Sequence, residues 1–118
     1  SWGREAVGIL LATEPHIDAI FCGSDQLARG VVDALRERGV KVPDDIAVVG
    51  FDNWEVMAAA ARPPLTTVDL NLYELGKLAG TKMLAMTNAS SAEKEAGIIY
   101  VPCSLIIRAS CGVHPTYV

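Results

Sequence analysis

Two short polar segments each follow an apolar run and carry the best candidate binding side chains of the sequence. Residues 23–25 read GSD after the first run, and residues 52–54 read DNW after the second. In an open parallel sheet, ligands bind beyond the carboxyl ends of the strands. Ser24 offers a hydroxyl, Asp52 a carboxylate that accepts two hydroxyl hydrogen bonds, and Trp54 a ring that stacks on a sugar. This spacing predicts a site for a sugar diol or a ribose.

Each of these side chains also has a structural interpretation. Ser24 suits a helix N-cap, with Asp25 in the first turn, where the helix dipole favours a negative charge. Asp52 fits a helix cap or a turn as well as it fits a ligand contact, and Trp54 fits a sheet edge or a subunit interface. Arg62 is a ligand, an interface cation or a solvated charge. The residues alone leave these alternatives open.

Signals for catalysis, metal binding or cofactors are weak. The histidines, His16 and His114, fall in a turn and in the tail, and the sequence has neither a nucleophile elbow nor a glycine-rich phosphate loop. The three cysteines lack metal-type spacing. Cys22 and Cys103 lie in apolar runs, which predicts reduced core thiols and a reducing, cytoplasmic compartment. We therefore expect no catalytic residue, no metal and no cofactor.

The elements that position these groups alternate along the chain. Apolar periodicity predicts helices over residues 5–12, 25–38, 53–61 and 71–87, with Asn71 and Glu74 as a capping box. It predicts strands over residues 19–22, 46–51, 66–68, 98–101 and 104–107, and a loop over residues 88–97. Strand–helix–strand order requires parallel pairing, so the predicted fold class is α/β with a mostly parallel sheet.

Composition narrows the class of protein. The chain has 118 residues, of which 51% are hydrophobic and 20% charged, with a net charge of −4. These values indicate a globular domain rather than a disordered segment. A surface that grips nucleic acid is normally basic, and no apolar run approaches the roughly 20 residues that span a bilayer. We expect this segment to contact neither DNA nor membrane.

Four motifs in order resemble the LacI (lactose-repressor) family of transcription regulators. Residues 18–28 read DAIFCGSDQLA, residues 42–53 read VPDDIAVVGFDN, residues 63–68 read PPLTTV and residues 101–108 read VPCSLIIR. Together they cover nearly the whole chain. The resemblance implies the C-terminal part of a two-lobed, parallel-sheet, periplasmic-binding-protein-like (type I) domain, with its effector between the lobes.

The resemblance also implies how the chain is divided. Residues 1–70 would belong to the second lobe, residues 71–101 would cross to the first lobe, and residues 102–118 would return as a strand and tail. Asp52 would bind the effector, with Ser24 near it. Leu72 falls where some sugar-binding members have an aromatic residue, so the identity of the sugar stays open.

Partners follow from the same resemblance. The family dimerises through second-lobe surfaces, which here would include Leu27 and Arg29 on the second helix and Met57 and Ala60 beyond the second strand. DNA would be bound only through an N-terminal helix-turn-helix preceding this segment. The predicted function is effector sensing, with a sugar as the expected effector. The alternative is the sugar-binding protein of an ABC-type transporter.

Overall fold

The computed structural model describes residues 2–88 and 97–113, in which helices and strands alternate. In chain order the elements are α1 (Trp2–Thr13), β1 (Ala19–Phe21), α2 (Asp25–Glu37), β2 (Ala47–Phe51), α3 (Glu55–Ala58), β3 (Thr66–Asp69), α4 (Leu72–Asn88) and β4 (Ser104–Ile106). The predicted α/β class is confirmed.

The strands form one sheet in the order β1-β2-β3-β4. β1 pairs with β2 and β2 pairs with β3, both in parallel, with Ala19 opposite Ala47 and Val49 opposite Thr66. Short apolar strands separated by helices favour this arrangement, because a parallel connection needs a crossover. The carboxyl ends of β1, β2 and β3 therefore lie at the same edge of the sheet.

The core lies where α1, α2 and α3 cover this sheet. Buried side chains of α2 repeat at helical spacing, with Val31 4% and Leu35 0% exposed, and Val48 of β2 is fully buried with them. α1 packs against α2 through Gly3, where an added Cβ would lie 2.6 Å from the Leu27 carbonyl oxygen. A larger residue at position 3 would push the two helices apart.

Several sequence-based expectations are wrong in detail. Residues 98–101 are not a strand, and Cys103 is exposed rather than a core thiol. The third helix covers Glu55–Ala58 alone, a shorter stretch than predicted. Asn71 has φ 54°, outside the extended backbone of an ordinary N-cap. Most of the predicted loop over residues 88–97 lies outside the described residues.

Residues Leu70–Ser104 form a compact unit separate from residues Ser1–Asp69 and Leu105–Val118. Its main element is α4, in which no residue is buried. The assignment of this segment to another lobe stays a prediction. No described helix is both long and apolar enough to cross a membrane.

Candidate functional site at the carboxyl edge of the sheet

Ser24 begins the site directly after β1. It has the extended backbone of an N-cap, with φ −160°, and its Oγ accepts a hydrogen bond of 3.2 Å from the Leu27 amide. This satisfies one of the free N–H groups at the start of α2. The structural interpretation of Ser24 is thus confirmed, and its contact with an effector stays a prediction.

Asp25 is the most connected side chain of the site. It is fully buried at the start of α2. Its Oδ1 accepts a hydrogen bond of 2.6 Å from the Thr67 hydroxyl, and its Oδ2 accepts one of 2.8 Å from the Trp54 amide. Because Thr67 belongs to β3 and Trp54 follows β2, this one carboxylate ties three elements together at the carboxyl edge.

Gly50 makes room for that carboxylate. A Cβ added at Gly50 would overlap Asp25 Oδ1 and lie 3.4 Å from the Ala28 Cβ. The strand backbone and the side chain of Asp25 are therefore in direct contact. This close approach explains why β2 carries a glycine beside a helix, where other residue types have higher strand propensity.

Asp52 lies in an unusual backbone conformation at the end of β2. Its φ is 94° and that of Asn53 is 49°. Residues other than glycine rarely adopt positive φ, at a cost on the order of 1–3 kcal/mol each. Asp52 is half-buried, and its Oδ1 accepts a hydrogen bond of 3.1 Å from the Trp54 amide. The Trp54 amide thus lies between the carboxylates of Asp52 and Asp25.

Further hydrogen bonds of the Asn53 side chain, one of them from Arg108, stabilise the same turn. The Asn53 amide nitrogen Nδ2 donates to Asp69 Oδ2 at 2.8 Å, and its Oδ1 accepts from the Arg108 guanidinium at 3.0 Å. Arg108 also donates to the Leu65 carbonyl at 2.8 Å, and the Asn53 backbone N–H donates to Thr67 Oγ1 at 3.3 Å. The turn after β2 is therefore held by β3 and by Arg108, which follows β4.

Burial dominates the electrostatics of the inner carboxylate. It raises the pKa of Asp25, and the hydrogen bonds from Thr67 and Trp54 oppose that shift. The nearby charge of Asp52 and a side-chain hydrogen bond with Asp52 both add to the rise. Burial also raises the pKa of the Cys22 thiol to about 11, again with a contribution from Asp25. Among the described residues, no group of three or more His, Cys, Asp or Glu side chains could hold a metal ion.

The remaining predicted site residues lie at different places in the chain. Trp54 is 51% exposed beside Asp52. Leu72 is 59% exposed in the separate Leu70–Ser104 unit. Arg62 donates to the backbone carbonyls of Ala59 and Ala61.

The predicted dimer residues differ in exposure. Leu27 is partly buried against the core, and Arg29 Nε lies 3.6 Å from Asp33. Met57 is half-buried and Ala60 is exposed. Leu27 and Arg29 are two positions apart on one helix, so they do not face the same way.

Four residues of this site were given no binding role from the sequence, although Asp25 and Asn53 lie within the two predicted segments. Asp25 was predicted only as a first-turn residue, and Asn53, Thr67 and Arg108 were given no role in the site. Polar residues inside β-favouring or apolar segments were the available signal, because buried polar groups need hydrogen-bond partners. The sequence does not show which partners those are.

A family model for the periplasmic binding protein-like domain matches residues 2–111. The chain belongs to this family. Its relatives are regulators of the LacI type, so the resemblance predicted from the sequence is confirmed. The HTH-type transcriptional regulator RegA of Clostridium acetobutylicum is 35% identical over 109 residues, which cover 92% of this chain and 31% of RegA.

Solved structures give the same result for the fold. The lac repressor dimer bound to operator and an anti-inducer matches with a TM-score of 0.80 at 29% identity, over 92% of this chain and 37% of that one. The complex of the transcriptional regulator CelR with cellobiose matches with a TM-score of 0.79 at 29% identity, over 92% and 32%. The chain therefore spans about a third of the length of these relatives.

Proposed function

We propose that this chain is the effector-sensing part of a DNA-binding transcription regulator. A small molecule, most simply a sugar, binds at the carboxyl edge of the sheet and changes the arrangement of two lobes. That change alters the affinity for operator DNA of a helix-turn-helix elsewhere in the protein. The relatives are regulators, which favours this function over the transporter alternative.

The observation that carries the proposal is the braced turn after β2. Backbone strain of this kind is found at ligand-binding sites, where the surrounding structure must hold it in place. Here Asp52 and Asn53 both have positive φ. Thr67 and Arg108 hold Asn53, and Asp25 holds the amide of the next residue, Trp54. The turn presents a half-buried carboxylate, Asp52, next to an exposed indole. A carboxylate and an aromatic face together suit a polyol.

The sugar class rests on this chemistry and on one relative. CelR is solved with cellobiose, a neutral sugar. In our proposal Asp52 accepts hydroxyl hydrogen bonds, Trp54 stacks on the ring, and Ser24 lies at the edge of the site. Leu72 stays a predicted effector contact. The regulator would act in the cytoplasm, without catalysis.

The first experiment is a thermal-shift screen of the full-length protein against sugars, sugar phosphates and nucleosides. A compound present at a hundred times its Kd stabilises the native state by about 2.7 kcal/mol. Asp52→Asn should weaken binding of the responding compound by about tenfold or more, because a hydrogen bond to a charged group contributes about 1.5–3 kcal/mol.

The matched control is Asp44→Asn, which removes one carboxylate from an exposed position on the loop before β2. It should leave the affinity unchanged. Equal affinity of wild type and Asp52→Asn would remove Asp52 from the site. If the responding compound leaves the affinity for operator DNA unchanged and the protein supports its transport across a membrane, the transporter alternative would be favoured instead.

A further inference from the structure

We propose that Asp25 is a positioning residue for the effector site, which leaves the Asp52 carboxylate available by accepting the Trp54 amide hydrogen bond itself. This inference rests on the proposed function, in which Asp52 binds effector hydroxyls. Asp25 is fully buried, so it acts through its neighbour and not by touching the effector.

The two carboxylates compete for a single donor. The Trp54 amide lies 2.8 Å from Asp25 Oδ2 and 3.1 Å from Asp52 Oδ1. One N–H group has one proton, and the shorter contact takes the larger share of it. Asp52 is therefore the weaker acceptor of this N–H group.

Asp25 makes further close contacts besides the one with the Trp54 amide. Its second oxygen accepts from the buried Thr67 hydroxyl at 2.6 Å, and the Gly50 backbone lies directly against it. It also begins α2 next to the N-cap Ser24. Asp52 is half-buried at the end of a strand, and the hydrogen bond to Trp54 is at an exposed position. An arriving ligand would therefore reach the carboxylate of Asp52 and not that of Asp25.

Without the Asp25 acceptor, the balance between the two carboxylates reverses. An amide N–H beside a buried site must find a partner, and Asp52 is the acceptor already next to it. Asp52 would then be held in the hydrogen bond to Trp54, which an effector hydroxyl must break. Affinity should fall although Asp52 itself is intact.

The test uses Asp25→Ala and Asp25→Ser in the full-length protein, with the sugar or nucleoside that responds in the thermal-shift screen as the probe. Both variants should weaken probe affinity by about fivefold, the usual weight of one hydrogen bond. Asp25→Ser keeps a polar group near the helix start and serves if the alanine variant does not fold.

Asp25→Asn should rescue affinity, because its amide oxygen can accept from Trp54 while its NH₂ group donates to Thr67 Oγ1. In the Asp52→Asn background, Asp25→Ser should cause no further loss of probe affinity, because the Asp52 carboxylate on which Asp25 acts is already absent. Additive losses, or a serine variant with wild-type affinity, would overturn the proposal.

Two further measurements separate this effect from general destabilisation and from failure of the proposed function. Ser110→Ala removes another buried side chain, one that bonds Val48 and Thr66, and should lower stability with no change in affinity. The Trp54 N to Asp52 Oδ1 distance should be shorter in ligand-free crystals of Asp25→Ser than in ligand-free crystals of the wild type. If this distance shortens but Asp52→Asn leaves affinity unchanged, Asp52 has no effector role, while the positioning role of Asp25 stands. If the distance does not change, Asp25 has no positioning role.

Discussion

At the scale of single residues, position 50 in β2 requires a glycine. The Asp25 carboxylate occupies the space that a side chain at position 50 would need. Gly50→Ala should therefore lower the free energy of unfolding by about 1–3 kcal/mol, the usual cost of overpacking. Denaturant unfolding of the full-length protein measures this.

The control for Gly50→Ala is Gly23→Ala, because a Cβ at Gly23 would meet no atom within 4 Å. Gly23→Ala should change stability little. A Gly50→Ala variant as stable as wild type would mean that Asp25 can leave its place at low cost, which would also weaken the positioning role argued above.

Cys22 offers a second test at this scale. Its thiol is 6% exposed and has a pKa of about 11. At pH 8 only roughly one thiol in a thousand would be the reactive thiolate, and burial slows access further. We expect Cys22 to resist iodoacetamide in the folded protein and to react in urea, as mass spectrometry of the alkylated peptides would show. Fast native alkylation would contradict its place in the core.

At the scale of elements, apolar periodicity predicted the three parallel strands and α2. Residues 19–22, 46–51 and 66–68 were predicted as strands, and β1, β2 and β3 lie within one residue of those bounds. α2 ends one residue before its predicted end. Its bounds could be predicted this closely because Ser24 and Gly39 mark its limits in the sequence. Helices and strands with caps and buried faces could thus be predicted.

The short length of α3 and the lack of a strand over residues 98–101 could not be predicted. Residues 98–101 have β-favouring side chains but form no strand, since strand pairing depends on a neighbour that the sequence does not identify. In the site, Asp52 and Trp54 were predicted from their place after a strand. The role of Asp25 was missed because it depends on a glycine 25 positions later and on a threonine in a third element.

At the scale of the whole molecule, α4 has more apolar surface than it can bury within the described part of the chain. None of its residues is buried, and Met83 and Leu84 are 68% and 65% exposed. Most helical stability in proteins comes from tertiary packing of an apolar face. Within the described residues, α4 therefore lacks the buried apolar face that stabilises most helices.

The subunit interface gives the last prediction. We propose that Leu27, Arg29, Met57 and Ala60 lie in a homodimer interface. The lac repressor relative is solved as a dimer. Met57→Lys should raise the dimer dissociation constant of the full-length protein by about tenfold or more, because an unpaired charge buried at an interface costs well over 1.4 kcal/mol. Analytical ultracentrifugation over a dilution series measures it. Ala12→Lys, at an exposed position of α1, adds the same charge and should leave the constant unchanged. If both variants dimerise like wild type, Met57 lies outside the interface, and the subunits must associate through a different surface.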